Sequence, residues 1–283
     1  MSNKKLTLSI VIPAYNEQRY LKACLDSIAR QVEMPDEVFV VDNNSTDNTG
    51  KIAKAYSFVT LLHEPNQHQS FAQATGFNAA TSDILGRIDA DCILPVDWTR
   101  RVKKHFAKQP GLSAITGSTT PYDISIGSAG TKVFRFYIDF ASWLAGCRML
   151  WGADCALRRR DWLKVKNQVM RRGDIWEDYD LAFCLAPHGQ LKIVDDIDVA
   201  SSFRAVHKSL FTQTRYQFRA VRTFYHHNSL LKTAVFMVVW CSMFFIYSLT
   251  LLDKYVLKPI WSLFGDLQNQ PKKAGEVVPL KAE

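Results

Sequence analysis

Residues 6–12 (LTLSIVI) form a near-continuous apolar run, the pattern of a strand buried on both faces. Residues 17–31 then place Tyr20, Leu21, Cys24, Leu25 and Ile28 at helical spacing. The same alternation continues through the first 120 residues. Strands are expected at 37–41, 58–62, 84–88 and 112–116, and helices at 51–56, 71–80 and 98–107, the last closed by Pro110 and Gly111. Strands alternating with helices at this pace give a mostly parallel sheet with helices on both faces. Such sheets bind ligands beyond the carboxyl ends of their strands, so the residues just after each strand are the candidates for chemistry.

After the first strand comes Pro13-Ala14-Tyr15-Asn16-Glu17. It has no Gly-rich loop, which argues against a dinucleotide fingerprint and against a P-loop. After the second comes Asp42-Asn43-Asn44-Ser45-Thr46-Asp47-Asn48-Thr49. Part of this run is a helix N-cap cluster, but Asp42 sits earlier, at the strand tip, where a carboxylate can accept a base ring N–H. After the fourth comes Asp89-Ala90-Asp91. In an extended segment positions i and i+2 face the same way. Two carboxylates on one side make a hard oxygen site suited to Mg²⁺ or Mn²⁺ on a diphosphate; the alternative is a pair of solvated loop acids. Further on, Glu177 and Asp178 open a helix expected to end before Pro187 and Gly189. Acids are favoured in a first helical turn, and that placement is compatible with a carboxylate acting as general base.

Composition narrows the class. With 283 residues, 22% charged and 12% aromatic, global disorder is excluded. Six cysteines without a CxxC pair read as reduced core thiols. The N-terminal apolar run meets polar residues without a small-residue cleavage site, so no signal peptide is read. The net charge of +8 is unevenly placed: residues 1–198 hold 24 basic and 23 acidic residues, and residues 199–252 hold 6 basic and none acidic. Residues 233–252 (TAVFMVVWCSMFFIYSLTLL) carry no charge. As a helix they span roughly 30 Å, one hydrocarbon core; the alternative, a buried core helix, usually keeps a polar stripe. A second apolar stretch at 255–264 is broken by Lys258 and Pro259 and suits an interface. A basic flank before an apolar span suits the cytosolic leaflet and draws the reading away from nucleic acid. His226 and His227, beside the span, are expected at that interface.

These motifs carry a resemblance. SIVIPAYNE, VVDNNSTDNT, DILGRIDADC, WGADCALRR (151–159) and WEDYDL (176–181) resemble, in order, the successive motifs of family 2 glycosyltransferases. The likeness runs over residues 6–205 and implies the GT-A fold, a nucleotide-diphosphate sugar donor and inversion at the sugar carbon. Carried over, Pro13, Tyr15, Glu17, Asp42 and Asp89 line the nucleotide-sugar pocket. Asp89 and Asp91 are the DxD metal ligands, Asp178 is the base with Glu177 as the alternative, and Gly152, Asp154 and Glu177 stand on the acceptor side. His207, beyond Ser201-Ser202-Phe203-Arg204, has two readings: an added metal ligand, or a partly exposed histidine near the membrane. There are departures. His68 and Ala74 replace the usual Gly and Asn, and Gly152-Ala153-Asp154 stands where many members have Gly-x-Asn. Gln213-Thr214-Arg215-Tyr216 does not match the Gln-x-x-Arg-Trp of processive members, which points to single sugar transfer.

The expectation is therefore an α/β GT-A catalytic domain at 1–228, divided into a nucleotide-sugar-binding half (1–117) and an acceptor-side half (118–228). A membrane-attachment region comes next at 229–264, with a helix at 233–252 that spans the membrane or, alternatively, lies in its interface, and then a disordered tail at 265–283. The expected activity is metal-dependent transfer of one sugar from a UDP- or GDP-sugar to a lipid-linked or other membrane-associated acceptor, at the cytosolic side of a membrane. One rival is a sugar nucleotidyltransferase, which would want a Gly-rich phosphate loop after the first strand. The other is a non-catalytic nucleotide-sugar-binding membrane protein, which would be expected to lose Asp89, Asp91 or Asp178.

Overall fold

The first apolar run becomes β1 (Leu8–Ala14), buried at every position. In the computed structural model the residues described are 5–123, 128–202, 204, 210–239 and 241. β1 pairs in parallel with β2 (Glu37–Asp42) and with β4 (Ile84–Ile88), and β2 pairs with β3 (Val59–His63). On the far side, β7 (Asp154–Arg158) runs antiparallel to β4 and to β5 (Leu112–Thr116), and β8 (Gln190–Ile193) closes that edge parallel to β5. The order across the sheet is β3-β2-β1-β4-β7-β5-β8, the mostly parallel sheet that the alternation predicts. A parallel pair, β6 (Thr119–Pro121) and β9 (Val199–Ser201), forms a second small sheet.

The period of two along β1 places helices on both faces. Leu8, Ile10 and Ile12 share one apolar cluster with α1 (Leu21–Ala29) and with Trp98, Val102 and Phe106 of α4 (Trp98–Lys108). Val11 points the other way, against Gly76 of α3 (Gln69–Ala79), where a Cβ would overlap its methyls. Each fully buried aliphatic side chain in such a cluster contributes about 1.5–3 kcal/mol. Helix α1 starts at Leu21, later than residue 17, because the preceding loop is tied to its neighbour: the Glu17 amide donates to Thr49 Oγ1 at 2.7 Å and the Gln18 amide to Asp47 Oδ2 at 3.1 Å.

Helix α2 (Thr49–Lys54) follows β2 and α5 (Ser128–Ala145) follows β6; beyond β7 come α6 (Arg159–Val165), α7 (Glu177–Leu185) and α8 (Leu210–His227). Asp180 clamps the last two together. It is fully buried; its Oδ1 lies 2.7 Å from His227 Nε2 and its Oδ2 accepts from the Met170 amide at 2.7 Å. His227 also stacks on Phe183 with ring centroids 4.6 Å apart. His227 is thus held by internal contacts and half-buried, whereas His226 beside it is exposed. The Trp176 amide donates to Thr223 Oγ1 at 2.9 Å, fixing the start of α7 as well.

The chain divides into two compact units, Met1–Thr233 and Ala234–Glu283. Of the second, only residues 234–239 and 241 are described, so most of the apolar stretch at 233–252, and all of 255–264 and 265–283, lie outside the described residues. Among the described residues no helix is long and apolar enough to cross a membrane.

Asp154, expected on the acceptor side, is instead a core residue of β7 with no exposed surface. Its Oδ1 accepts from Trp98 Nε1 at 2.9 Å, and burial raises its pKa well above the ordinary carboxylate range. Removing that donor strands a buried polar group, which costs about 1–3 kcal/mol. Trp98→Phe, which keeps the ring bulk, should lower the unfolding free energy by that amount in urea denaturation. An unchanged midpoint would show that the Trp98–Asp154 bond contributes nothing.

Candidate functional site

The loops at the carboxyl ends of β1, β2 and β4 enclose a cavity of about 460 Å³, lined by Pro13, Tyr15, Glu17, Asn43, His68, Gln69, Asp89, Asp91, Arg204 and Arg219, among others. That is within the usual range for a small-molecule site, about 300–1,000 Å³. Local chemistry explains why these loops hold their shape. Asn16 has φ 56°, the left-handed region that Asn tolerates better than most side chains. Its Oδ1 accepts from the Thr46 amide at 2.8 Å, stapling the loop after β1 to the loop after β2. Asn43 is a second staple: its amide group donates to the carbonyls of Glu64 (2.9 Å) and Asn66 (2.7 Å), and its Oδ1 accepts from the His68 amide (2.9 Å). His68 takes the N-cap of α3, and burial lowers its pKa. The departure from the usual glycine at this position therefore puts an imidazole in the cavity wall.

Asp89 and Asp91 reach the same cavity by a different geometry from the one expected. The chain does not stay extended: the Cys92 amide donates to the Asp89 carbonyl at 3.1 Å, closing a turn. Asp89 Oδ1 accepts from Gln69 Nε2 and from Arg87 Nη2, both at 3.0 Å. Asp91 is buried; its Oδ1 accepts from Ser201 Oγ at 3.2 Å, and its Oδ2 lies 3.3 Å from Arg204 Nη2. The small second sheet makes that contact possible, since Ile93 bridges to Ala200, next to Ser201. Arg204 also pairs with Glu17 Oε1 and lies over the Tyr20 ring, 4.4 Å from its centroid. Glu17 Oε2 is buried without a hydrogen-bond partner among the described residues. Two carboxylates, of Glu17 and Asp91, thus pair with the Arg204 guanidinium, and Asp89 lines the same cavity. Their hard oxygens suit a divalent metal ion, and burial with Asp89 nearby pushes Asp91 up to about 7 against the pull of Arg204.

Asp178 joins this group through Arg87. Arg87 lies on β4 with its side chain 2% exposed. Its Nη1 pairs with Asp178 Oδ1, and its Nη2 reaches Asp89 Oδ1 at 3.0 Å and Glu177 Oε1 at 3.5 Å. Asp178 Oδ2 accepts from the Gly152 amide at 2.9 Å. Gly152 has to be glycine here, because a Cβ would overlap both Arg87 Nη1 and Asp178 Oδ1. Despite burial, which disfavours its charge, the three carboxylates raise the Arg87 pKa. Burial, only partly offset by Arg87 and reinforced by Glu177 and Asp89, pushes Asp178 up to about 7. The Glu177 pKa is also raised, chiefly by burial. The side chains differ in access: Asp178 is 25% exposed and Glu177 8%.

The structure therefore gathers Pro13, Tyr15, Glu17, Asp89 and Asp91 on one cavity, with Gly152, Glu177 and Asp178 joined to it through Arg87. Asp42 is not on the cavity lining; its Oδ1 accepts from the Ser45 amide at 2.9 Å and closes the turn after β2, and Asn43 takes the position facing inward. His207 lies outside the described residues. Arg87, Asn43 and Arg204 lie within motifs read from the sequence, but none of the three was given a role of its own. Arg87 had a usable signal: a lone charge inside the otherwise apolar ILGRI strand must find buried partners.

Residues 9–164 match the family described as Glycosyl transferase family 2. An uncharacterized glycosyltransferase of Nostoc sp. is 26% identical over 206 residues, covering 68% of this chain and 63% of its own length. An undecaprenyl-phosphate 4-deoxy-4-formamido-L-arabinose transferase of Serratia proteamaculans is 32% identical over 106 residues, covering 34% of this chain and 32% of its own. The chain thus spans less than two thirds of either relative. Among solved structures, the mannosyltransferase PcManGT of Pyrobaculum calidifontis, in complex with GDP-Man and Mn²⁺, superposes with a TM-score of 0.62 at 18% identity. That match covers 92% of this chain and 84% of that one, and it shows a shared fold.

A divalent ion must displace any proton on its carboxylate ligands. With Asp91 pushed up to about 7, Mn²⁺ affinity measured by electron paramagnetic resonance should weaken as pH falls through that value, approaching about tenfold per pH unit below it. An affinity independent of pH between about 6 and about 8 would remove Asp91 from the ligand set.

Proposed function

The chain belongs to glycosyl transferase family 2, and we propose that it moves a single sugar from a nucleotide-diphosphate sugar to a hydroxyl or phosphate of an acceptor, with inversion. The observation that carries this reading is the cavity at the strand ends, with Asp89 and Asp91 on its wall and Asp178 tied to Asp89 by one buried guanidinium. The nucleotide takes the part of the cavity bounded by residues 13–17 and Asn43. The diphosphate lies towards Asp89 and Asp91, with Arg204 and Arg219 also on the wall. A Mg²⁺ or Mn²⁺ ion held by these acids would stabilise the charge on the departing diphosphate.

Asp178 is the base. It is more exposed than Glu177, and its raised pKa lies close to neutral, where a proton acceptor works best. With a hydroxyl acceptor, the oxygen forms its bond to the anomeric carbon as its proton passes to Asp178 and the bond to the diphosphate breaks; a phosphate acceptor brings an oxygen already ionised and needs no base. One displacement from the face opposite the leaving group inverts that carbon.

A lipid-linked acceptor and membrane attachment are part of the proposal. Three features support them: the uncharged run at 233–252 with its acid-free basic flank, the undecaprenyl-phosphate in the name of the Serratia relative, and large apolar side chains left in solvent. Phe218, Tyr225, Leu230 and Leu231 are 52–75% exposed.

Asp178→Asn should reduce transfer by about 10²–10⁴-fold, the usual contribution of a positioned base. Binding of the Mn²⁺–nucleotide should be kept, because the base acts only in the transition state. Transfer can be followed by nucleoside diphosphate release over a panel of UDP- and GDP-sugars with total membrane lipid, with Asp91→Ala and EDTA as metal controls. Transfer within about tenfold of the native protein would move the base role elsewhere, and full activity in excess EDTA would end the metal assignment.

A further inference from the structure

Arg87 is a costly residue to bury on a central strand, and a counter-charge for one carboxylate would not need its geometry. Its two terminal nitrogens are divided among three acids from two separate parts of the chain: Asp89 at the end of β4, and Glu177 and Asp178 in the first turn of α7. The guanidinium is a planar fork, so it fixes the direction of each partner as well as its charge; a lysine ammonium does not. Gly152 serves the same contact from the other side. Its amide holds Asp178 Oδ2, and its missing Cβ leaves room for Arg87 Nη1.

We propose that Arg87 is a positioning residue for sugar transfer: it sets Asp178 at a fixed place relative to Asp89, and so sets the base against the donor-side carboxylate. The inference rests on the reading of Asp178 as the base and Asp89 as a donor-side ligand. The Arg87 side chain is 2% exposed and does not line the cavity, so its contribution passes through Asp178. Displacing a reacting group by about 1 Å can cost 10²-fold in rate.

Two substitutions disturb the contact while leaving the charge count unchanged. Arg87→Lys keeps the cation and loses the fork. Gly152→Ala keeps the fork and pushes it off Asp178. Arg87→Met would bury three acids without a cation and risks unfolding, so it is not used. The first measurement is the crystal structure of each variant, which needs no substrate. Asp178 should shift by about 1 Å or more relative to Asp89; Asp178 unmoved in both overturns the proposal. The second is a split between binding and turnover. Calorimetry with UDP and with GDP, each with Mn²⁺, should give dissociation constants within about threefold of the native protein, while kcat falls roughly 10–100-fold on whichever of UDP-glucose or GDP-mannose is used. Nucleotide binding and kcat falling together would mean that Arg87 only supports the fold or the donor site, and unchanged kcat would mean that it does nothing for transfer. If either variant fails to fold, the other decides.

A double-mutant cycle completes the test. In the Asp178→Asn background, Arg87→Lys should cost little further, because both act through one group; a full additive loss contradicts the proposal. The two readings fail separately. If Asp178→Asn leaves transfer intact, the base assignment has failed. If Asp178→Asn abolishes transfer and Arg87→Lys does not lower it, the base assignment stands and the positioning role of Arg87 is gone.

Discussion

Three carboxyl groups, from Asp89, Glu177 and Asp178, converge on one guanidinium buried in the central strand of the sheet. Breaking such a group by removing one partner leaves an uncompensated charge away from water, which is far more costly than losing an exposed pair. The surrounding structure is arranged around that constraint. β4 lies between β1 and β7, so Arg87 is enclosed from both edges. Gly152 gives up its side chain to let the guanidinium reach Asp178. Helix α7 is held in place at its start by Thr223 and in its first turn by the Asp180–His227 contact. Asp180 has both carboxylate oxygens occupied, by His227 and the Met170 amide. The Asp180, Cys184 and His227 group is accordingly a helix clamp in this arrangement.

A second guanidinium, Arg204, follows a parallel logic with more of its side chain exposed, 37% against 2% for Arg87. Glu17 and Asp91 come from different strand ends and share Arg204. That guanidinium already pairs with both acids, so the proposed metal–diphosphate would have to displace or re-aim it. A cavity lined by Glu17, Asp89 and Asp91 together with Arg204 and Arg219 carries both signs of charge, which suits a ligand that brings both a cation and a diphosphate. Asn16 and Asn43 hold this wall through hydrogen bonds to neighbouring loops and leave the titratable groups facing the cavity.

Much of this arrangement was legible in the sequence because it depends on period and punctuation. The five early strands and the helices between them come from apolar runs separated by polar loops. The chemistry at the ends of β1 and β4 comes from the rule that parallel strands present their carboxyl ends to ligands. Four things were hidden. The turn at Asp89–Asp91 depends on a backbone hydrogen bond from Cys92, which no spacing rule reports. Asp154 reads as a site acid from its motif, yet its side chain is buried and its partner, Trp98, is 56 positions away in sequence. The partners of Arg87 are likewise long-range, 90 and 91 positions off in α7; only the charge within an apolar strand hinted at them. His227 is the same case, since a histidine beside an apolar segment gives no sign that it turns inward onto Asp180.

The central claim is that these strand ends hold a metal–diphosphate. The most direct test is anomalous diffraction from crystals grown with Mn²⁺ and either UDP or GDP. A single strong peak is expected at about 2.0–2.6 Å from a carboxylate oxygen of Asp91 or Asp89, with the nucleotide diphosphate beside it and Arg204 drawn off Asp91. A peak at Asp180 and His227 instead, or nucleotide bound at the strand ends with no metal there, would contradict it.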